Sequence, residues 1–325
     1  MIAVIGGAGY IGSHTVKYLI AQGEQVVIFD NLSNGHREMI HDQAAFFQGD
    51  LASMSDLDTF FNQYKVDSVI HFAAFAYVGE SVEHPAKYYR NNMANTLNLL
   101  DSMLIHDINK IVFSSTCATY GNPLTLPITE AHPQQPINPY GRTKFMMEQM
   151  IDDYAAAYGL RTAALRYFNA AGADLEGGIG ELHDPETHLI PLVLETARGR
   201  RSEILIFGHD FDTKDGTCIR DYIHVLDLAD AHYRALKYIS ENKSNIKLNL
   251  ANGEGYSNLE IIQTAERITG QPINYRLTDR RTGDPAILIG SAIEAKKILG
   301  WEPKYNLEQI IESAWNWHMK KWEEH

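Results

Sequence analysis

Ile2-Ala3-Val4-Ile5, then Gly6-Gly7-Ala8-Gly9-Tyr10-Ile11-Gly12, then Ser13-His14-Thr15-Val16-Lys17-Tyr18-Leu19-Ile20: a short apolar run, a glycine turn and a segment of helical periodicity succeed one another without a break. Strand, turn and helix in that order are the context that the dinucleotide-binding fingerprint requires. Glycines let the backbone turn tightly and let a pyrophosphate approach free N–H groups at a helix start, where the dipole favours an anion. A second apolar strand, Gln25-Val26-Val27-Ile28-Phe29, ends in Asp30, about where the fingerprint places the acid that binds an adenosine ribose. A carboxylate there accepts from two ribose hydroxyls and repels a 2′-phosphate, so the expected cofactor is NAD rather than NADP. The glycine spacing is Gly-x-x-Gly-x-x-Gly, not the commoner Gly-x-Gly-x-x-Gly.

Outward from this start, strand and helix signals keep alternating. Ala44 to Gln48 reads as a strand with Gly49-Asp50 behind it, and Ser53 or Ser55 is placed to cap the next helix. Ser68 to Ala74 is a further strand, Lys87 to Asp107 one long helix, Lys110 to Phe113 a buried strand, and Arg161 to Phe168 another. Strict alternation implies a parallel sheet with helices on both faces. The expected class is α/β: a Rossmann-type doubly wound parallel sheet in residues 1–170, followed by a smaller C-terminal, mainly substrate-binding lobe in residues 171–325. In that lobe the pattern loosens into a glycine- and acid-rich loop, Gly172 to Glu186, and shorter elements, although Lys247 to Ala251 has the character of a strand returning to the sheet.

Two clusters carry candidate chemistry. Tyr140 and Lys144, in Asn138-Pro139-Tyr140-Gly141-Arg142-Thr143-Lys144, stand at i and i+4 and share a face if the segment is helical. A phenol titrates near pH ~10, so an isolated tyrosine is a poor base; a fixed ammonium beside it would favour the phenolate. Phe113-Ser114-Ser115-Thr116-Cys117-Ala118-Thr119-Tyr120-Gly121 follows the carboxyl end of a strand, the edge where open α/β sheets bind ligands. Thr116 could hydrogen-bond a substrate oxygen whose proton Tyr140 removes. A Ser/Thr-rich turn satisfying its own backbone would look the same in isolation.

Composition bounds the rest. The chain has 325 residues, enough for one large and one small domain around a real core. No apolar run approaches the ~20 residues that span a bilayer, and the start reads as a strand, not a signal peptide. Cys117 and Cys218 form no disulfide framework or metal-ligand cluster, which suits a reducing cytoplasm. His14, His71, His224 and His232 share no metal-ligand spacing and read as structural. A net charge of −13 argues against non-specific nucleic-acid binding, so an anionic ligand needs locally placed arginines.

With these segments in view, the chain resembles the extended short-chain dehydrogenase/reductases, and among them the nucleotide-sugar C4 epimerases. The resemblance runs end to end, through GGAGYIGSH, FDNLSNG, GDL, HFAA, VGESVEHP, SSTCATYG, PYGRTK, LRYFNAAGA, CIRDYIHVLDLADAH and RRTGDPA. It implies that Tyr140 is the acid/base, that Lys144 holds the nicotinamide ribose, and that Thr116 steers the sugar's 4-hydroxyl. For NAD it implies contacts from Gly6, Gly9, Tyr10, Ile11 and Gly12 at the pyrophosphate, and from Asp30, Asn31, Leu32, Ser33, Asn34 and Gly35 at the adenosine ribose. Asp50 and Leu51 would hold the adenine, and Phe72, Ala73 and Ala74 the cofactor's mid-section. Asn91, Ser114 and Phe168 would complete the cofactor site. For a UDP-sugar it implies Asn169, His188, Leu205, Phe207, Arg220, Arg281 and Asp284.

The implied reaction interconverts UDP-glucose and UDP-galactose through a 4-keto sugar, because direct inversion at C4 would require a leaving group that the sugar lacks. Arginine forks suit the diphosphate. A nucleotide-sugar 4,6-dehydratase would need an Asp-Glu pair after Thr116, where Cys117 and Ala118 stand. A UDP-glucuronate 4-epimerase remains open, and a cofactor-sensing regulator would usually have lost the Tyr/Lys pair. Three departures from the family pattern stand out. The lysine often found after the HFA-type strand is replaced by Phe75-Ala76-Tyr77, and His188 stands where asparagine is common. Ile287 aligns with a tyrosine that crowds the sugar pocket in some members, which implies room for an N-acetylated sugar. Leu97, Leu99, Leu100, Met103 and Leu104 on the long helix fit either intramolecular packing or a homodimer.

Overall fold

The computed structural model describes residues 1–242, 244–281 and 284–323. In chain order the first half holds β1 (Ile2–Ile5), α1 (Tyr10–Ala21), β2 (Val26–Asp30), β3 (Ala45–Gln48), α2 (Met54–Gln63), β4 (Ser68–His71), α3 (Val78–Glu83), α4 (Pro85–Tyr88), α5 (Asn95–Ile105), β5 (Lys110–Thr116), α6 (Pro139–Tyr158) and β6 (Arg161–Tyr167). The remainder holds β7 (Asn169–Ala171), α7 (Leu189–Ala197), β8 (Ile204–Phe207), β9 (Ile219–Arg220), β10 (Tyr222–His224), α8 (Val225–Asn242), β11 (Ile246–Leu250), β12 (Tyr256–Ser257), α9 (Asn258–Thr269), β13 (Tyr275–Thr278), β14 (Ile287–Leu288), α10 (Ile293–Leu299) and α11 (Leu307–Glu323).

Seven strands form one parallel sheet in the order β11-β6-β5-β4-β1-β2-β3. This is the expected Rossmann-type α/β class, and the order reverses between β1 and β4. Successive side chains of a strand face opposite sides. Ile2 and Val4 accordingly join a core with Val16, Leu19, Leu228 and Ile239 under α1 and α8. Ala3 and Ile5 join the opposite core with Leu57, Phe60, Leu99 and Met147 under α2, α5 and α6. A third core, with Val193, Leu194, Ile206, Ile261 and Ile310, unites α7, α9 and α11 around the short β8–β13 pair. Strand β11, from beyond the loosened region, pairs with β6 from Ile246↔Ala163 to Leu250↔Tyr167.

Local chemistry explains several boundaries. Ser53 caps α2 by accepting from Asp56 N, and Ser257 with Glu260 forms a capping box on α9. The strand read as ending at Phe113 continues to Thr116. The strand read as Ser68 to Ala74 stops at His71, where the N–H groups of Phe72 and Ala73 both turn to Ile5 O. The turn at Gly6 forces this departure: φ is +82°, and a Cβ there would lie 2.6 Å from Ala73 N. The long helix begins at Pro85 and widens into one π-helical segment over Tyr89–Ala94 before α5. Such widenings are frequent at functional sites. Here Asn92, fully buried, clamps Phe75 by accepting from its N–H and donating to its carbonyl, both at 2.9 Å. Among the described residues no helix is long and apolar enough to cross a membrane.

Candidate active site

Helix α6 is started by Asn138, whose side chain accepts from Gly141 N at 2.8 Å, and by Pro139 at its first position. Gly141 is needed for close approach: a Cβ there would lie 2.4 Å from Ala118 O. That contact holds the first turn of α6 against the end of β5, and so brings Tyr140 and Lys144 to Thr116. All three line one cavity of about 1120 Å³.

Within it the groups are strongly perturbed. Burial pushes the Tyr140 phenol well up, with Tyr167 and Cys117 adding to the effect and the Thr116 hydroxyl opposing it. Thr116 Oγ1 accepts from Ala118 N at 3.1 Å, which leaves its own proton to donate. Burial pulls the Lys144 ammonium down to about 7, with Glu148 acting the other way. Lys144 Nζ donates to Ser114 O at 2.8 Å and lies 4.9 Å from the centre of the Phe113 ring. The expected direct depression of Tyr140 by Lys144 is therefore not seen: burial dominates the phenol, and the ammonium is turned to a carbonyl. One turn further along α6, Glu148 is clamped by Arg166 through Nε at 2.9 Å and Nη2 at 2.6 Å, and it accepts from Ser115 Oγ. Both partners are buried, so this pair ties α6 to β5 and β6 directly beneath the site.

At one end of the cavity stand Gly6, Gly9, Tyr10, Ile11, Gly12, Asp30, Asn31, Ser33, Asn34, Gly35, Asp50 and Leu51. Gly12 packs so closely that a Cβ would meet Gly6 O at 2.2 Å; a Cβ on Gly9 would meet only Gly6 O at 3.5 Å and would otherwise intrude on the cavity. Gly9 caps α1 without a side-chain hydrogen bond, so first-turn N–H groups face that space. Asp30 accepts from Ala8 N at 2.9 Å and Leu32 N at 2.8 Å, which fixes its carboxylate at the end of β2. A glycine cradle, free helix-start donors and a held carboxylate fit a dinucleotide such as NAD. Leu32 is the exception among the expected contacts: it does not line the cavity, and its backbone at φ +60° serves to bring its N–H to Asp30.

Phe72, Ala73, Ala74, Asn91, Ser114 and Phe168 line the middle, and Asn169, His188, Leu205, Phe207, Arg220, Arg281 and Asp284 the far end. Asn169 donates to Asp221 O at 2.8 Å. Arg281 Nε donates to Asp284 Oδ2 at 3.0 Å and its guanidinium lies 4.9 Å from the centre of the Phe207 ring, while Arg220 Nη2 stands 3.9 Å from Asp284 Oδ1. Thr282 and Gly283 of the RRTGDPA segment lie outside the described residues. Ile287 pairs with Ile219 and is not on the cavity wall; its neighbour Leu288 is. Ile287, expected beside the sugar, thus stands off the cavity wall that its neighbour reaches, since alternate positions of β14 face opposite ways.

Other wall residues escaped sequence reading. Lys87, a cation on a different element from β4, also lines the cavity; it lies 4.3 Å from the centre of the Phe75 ring and pairs with Glu80 at 2.6 Å. Nothing local to the strand announces it. Glu181 and His183 also line the cavity. Burial opposes charge on His183, but Glu181 and Glu186 outweigh it and push the imidazole up to about 10. The signal that could have found them is the spacing Glu181-x-His183-x-x-Glu186-x-His188 in a loop otherwise read as merely acidic.

Residues 2–251 match the family model described as the NAD dependent epimerase/dehydratase family. The chain is 54% identical to UDP-glucose 4-epimerase of Halalkalibacterium halodurans over 98% of its own length and 95% of that protein. Among solved structures it is similar to UDP-glucose 4-epimerase from Brucella ovis in complex with NAD, at 50% identity, TM-score 0.94 and 97% coverage of both chains. It is also similar to the Bifidobacterium longum UDP-glucose 4-epimerase in complex with NAD+ and UDP, at 38% identity, TM-score 0.94 and 98% coverage of both.

Proposed function

The chain belongs to the NAD dependent epimerase/dehydratase family, and on that premise we propose that it interconverts UDP-glucose and UDP-galactose by transient oxidation at sugar C4, a step of galactose metabolism. It is an epimerase, and its cofactor is NAD. The observation that carries the finer reading is that one cavity wall brings together the glycine cradle and Asp30, the trio Thr116, Tyr140 and Lys144, and the group Arg220, Arg281 and Asp284.

Gly9, Gly12 and the first turn of α1 hold the pyrophosphate, Asp30 the adenosine ribose, and Lys144 the nicotinamide ribose. NAD, when bound, would supply the acceptor and later the donor of the C4 hydride, and its positive ring would offset the penalty that burial places on a phenolate. Thr116 donates to the sugar's 4-oxygen, and Tyr140 as phenolate removes the hydroxyl proton while the C4–H bond breaks, leaving a 4-keto sugar and a neutral phenol. Arg220 and Arg281 grip the UDP diphosphate as guanidinium forks, so the sugar can swing about its bond to UDP without escaping. After hydride reaches the opposite face, Tyr140 returns the proton to the oxygen, and the net change is inversion alone.

The test is product analysis of purified protein given UDP-galactose. Appearance of UDP-glucose without added NAD would support both epimerisation and a retained cofactor; no conversion even with added NAD refutes the reading. Leu288 favours a second specificity, because its modest side chain at the cavity wall leaves room for an N-acetyl group on UDP-N-acetylglucosamine. Leu97 and Ile105, 40% and 68% exposed on α5, fit a homodimer, which light scattering would measure. The thiols Cys117 and Cys218, both unbridged, fit a cytoplasmic setting.

A further inference from the structure

We propose that Glu181, His183, Glu186 and His188 form a binding site for a divalent transition-metal ion of the zinc class. Their ligand atoms all lie within 4.8 Å of one another. His183 Nδ1 stands 3.2 Å from Glu181 Oε1 and 3.7 Å from Glu186 Oε2, and His188 Nδ1 stands 3.8 Å from Glu186 Oε1. A tetrahedral ion about 2.1 Å from its nitrogen and oxygen ligands sets those ligands roughly 3.4 Å apart, so small side-chain adjustments would bring these groups to the edges of such a site. The fourth contact, between Glu181 and His188, is shorter and must lengthen as the ion enters.

An independent observation points the same way. His183 Nδ1 is buried and has no hydrogen-bond partner, although two carboxylates lie within 4 Å of it. Nδ1 is therefore close to both carboxylates without being well aligned for a hydrogen bond to either. The four groups are also held in place. Glu186 Oε1 accepts from the N–H of Thr187 at 2.7 Å and of His188 at 2.8 Å, Glu181 is enclosed, and the His183 ring stacks edge-on with Tyr10 and Tyr77. Two imidazoles with two carboxylates suit zinc and its transition-metal neighbours, whereas magnesium and calcium prefer all-oxygen shells. A divalent ion that enters displaces the protons from the two imidazoles and takes over the balancing of the two glutamates. The side chains alone carry this assignment. Its consequence rests on the reaction proposed above: an ion here lies beside Tyr10 and His188, between the residues assigned to the two diphosphates.

The test uses purified protein with its own cofactor retained. After dialysis against metal-free buffer, elemental analysis should find about one equivalent of zinc, or chelator-stripped protein should take up one equivalent of Zn2+ or Co2+, the latter with the visible absorption of a tetrahedral centre. H183Q and E186Q should each weaken uptake at least tenfold, while H209Q, at an exposed histidine elsewhere, should not. X-ray absorption at the metal edge of the wild-type protein reads the ligand set without relying on any variant, and should show imidazole with carboxylate oxygen. No uptake of either metal, uptake unchanged in both H183Q and E186Q, or a shell lacking imidazole would overturn the assignment. Because metal content is measured without turnover, an inactive protein that binds one equivalent would fault the proposed reaction and not the metal site.

Discussion

Arg166→Met strips the guanidinium from a carboxylate with nowhere to go. The Glu148 side chain is 0% exposed and that of Arg166 is 4% exposed. Removing one partner of a buried pair typically costs about 3–5 kcal/mol, because the survivor stays charged without compensation. Here Glu148 would keep only the Ser115 hydroxyl and the Gln134 amide as donors, and the Tyr120 hydroxyl would lose the Arg166 N–H it accepts. Unfolding entropy of about 2.1 cal/mol/K per residue gives about 0.7 kcal/mol/K for the 325 residues, so the melting temperature should fall by roughly 4–7 °C. The double replacement Glu148→Leu with Arg166→Met removes both charges and should recover most of that loss, to within about 1 kcal/mol of the parent. Thermal and urea unfolding of the parent, both single variants and the double variant close a mutant cycle whose coupling term isolates the pair. A separate readout reaches the site itself. Glu148 favours the charged form of Lys144, so Glu148→Gln should lower the Lys144 pKa further below about 7 and move the alkaline limb of the rate profile to lower pH. If Arg166→Met melts within a degree of the parent, or if the double variant is no more stable than the singles, the pair does not anchor α6 as described.

Tyr140→Phe should lower turnover by about 10²–10⁴-fold while the purified protein keeps its NAD; activity near the parent's would exclude Tyr140 as acid/base. Gly141→Ala, with its Cβ 2.4 Å from Ala118 O, should push α6 off β5 and depress turnover far more than nucleotide binding, as rate and binding measurements would separate. Burial holds His71 and His224 down at about 3 and His14 and His232 at about 4. The unfolded chain protonates these groups near pH ~6.5 and the folded chain does not, so stability is full above that pH and drops on acidification toward about 4, by up to ~1.4 kcal/mol per histidine per pH unit. A urea midpoint that stays flat from pH 7 to 5 would contradict this. UDP-N-acetylglucosamine should be turned over measurably and Leu288→Tyr should suppress that activity more than activity on UDP-glucose; no detectable N-acetyl turnover in the parent sinks the wider-pocket reading.

What was legible in the sequence was local. The glycine turn, Asp30 and the Asn138-Pro139 start of α6 announce themselves because the cause of each conformation lies within a few residues of it. What was hidden depends on distant partners. Ser114 to Thr116 looks like a turn by composition yet completes β5, because it pairs with Leu165 to Tyr167 of β6, while Lys144 and Glu148 from α6 meet Ser114 O and Ser115 Oγ. Within the π-helical turn at Tyr89–Ala94, Asn92 grips Phe75, a contact that no periodicity encodes. Leu32 and Ile287 were misplaced for a related reason. Each stands beside residues that line the cavity, and a motif carried over by position cannot tell a wall residue from a neighbour that faces elsewhere. Lys87 and the Glu181–His188 cluster reach the cavity through the fold, not through any adjacent motif.

Strand β11 gives the molecule an interlaced plan. The chain leaves the sheet after β6, returns through α8 and β11, departs again for β12 to β14, and comes back once more as α10, next to which Trp301 is buried against the sheet. A fragment ending near residue 170 would present β6 as a raw edge and strip α8 from the apolar face formed by Val4, Ile28 and Leu165. The cofactor half is therefore not a cassette that recombination could lift out and join to a foreign partner. A change of specificity that leaves this sheet intact is therefore one made within the loops of the same chain.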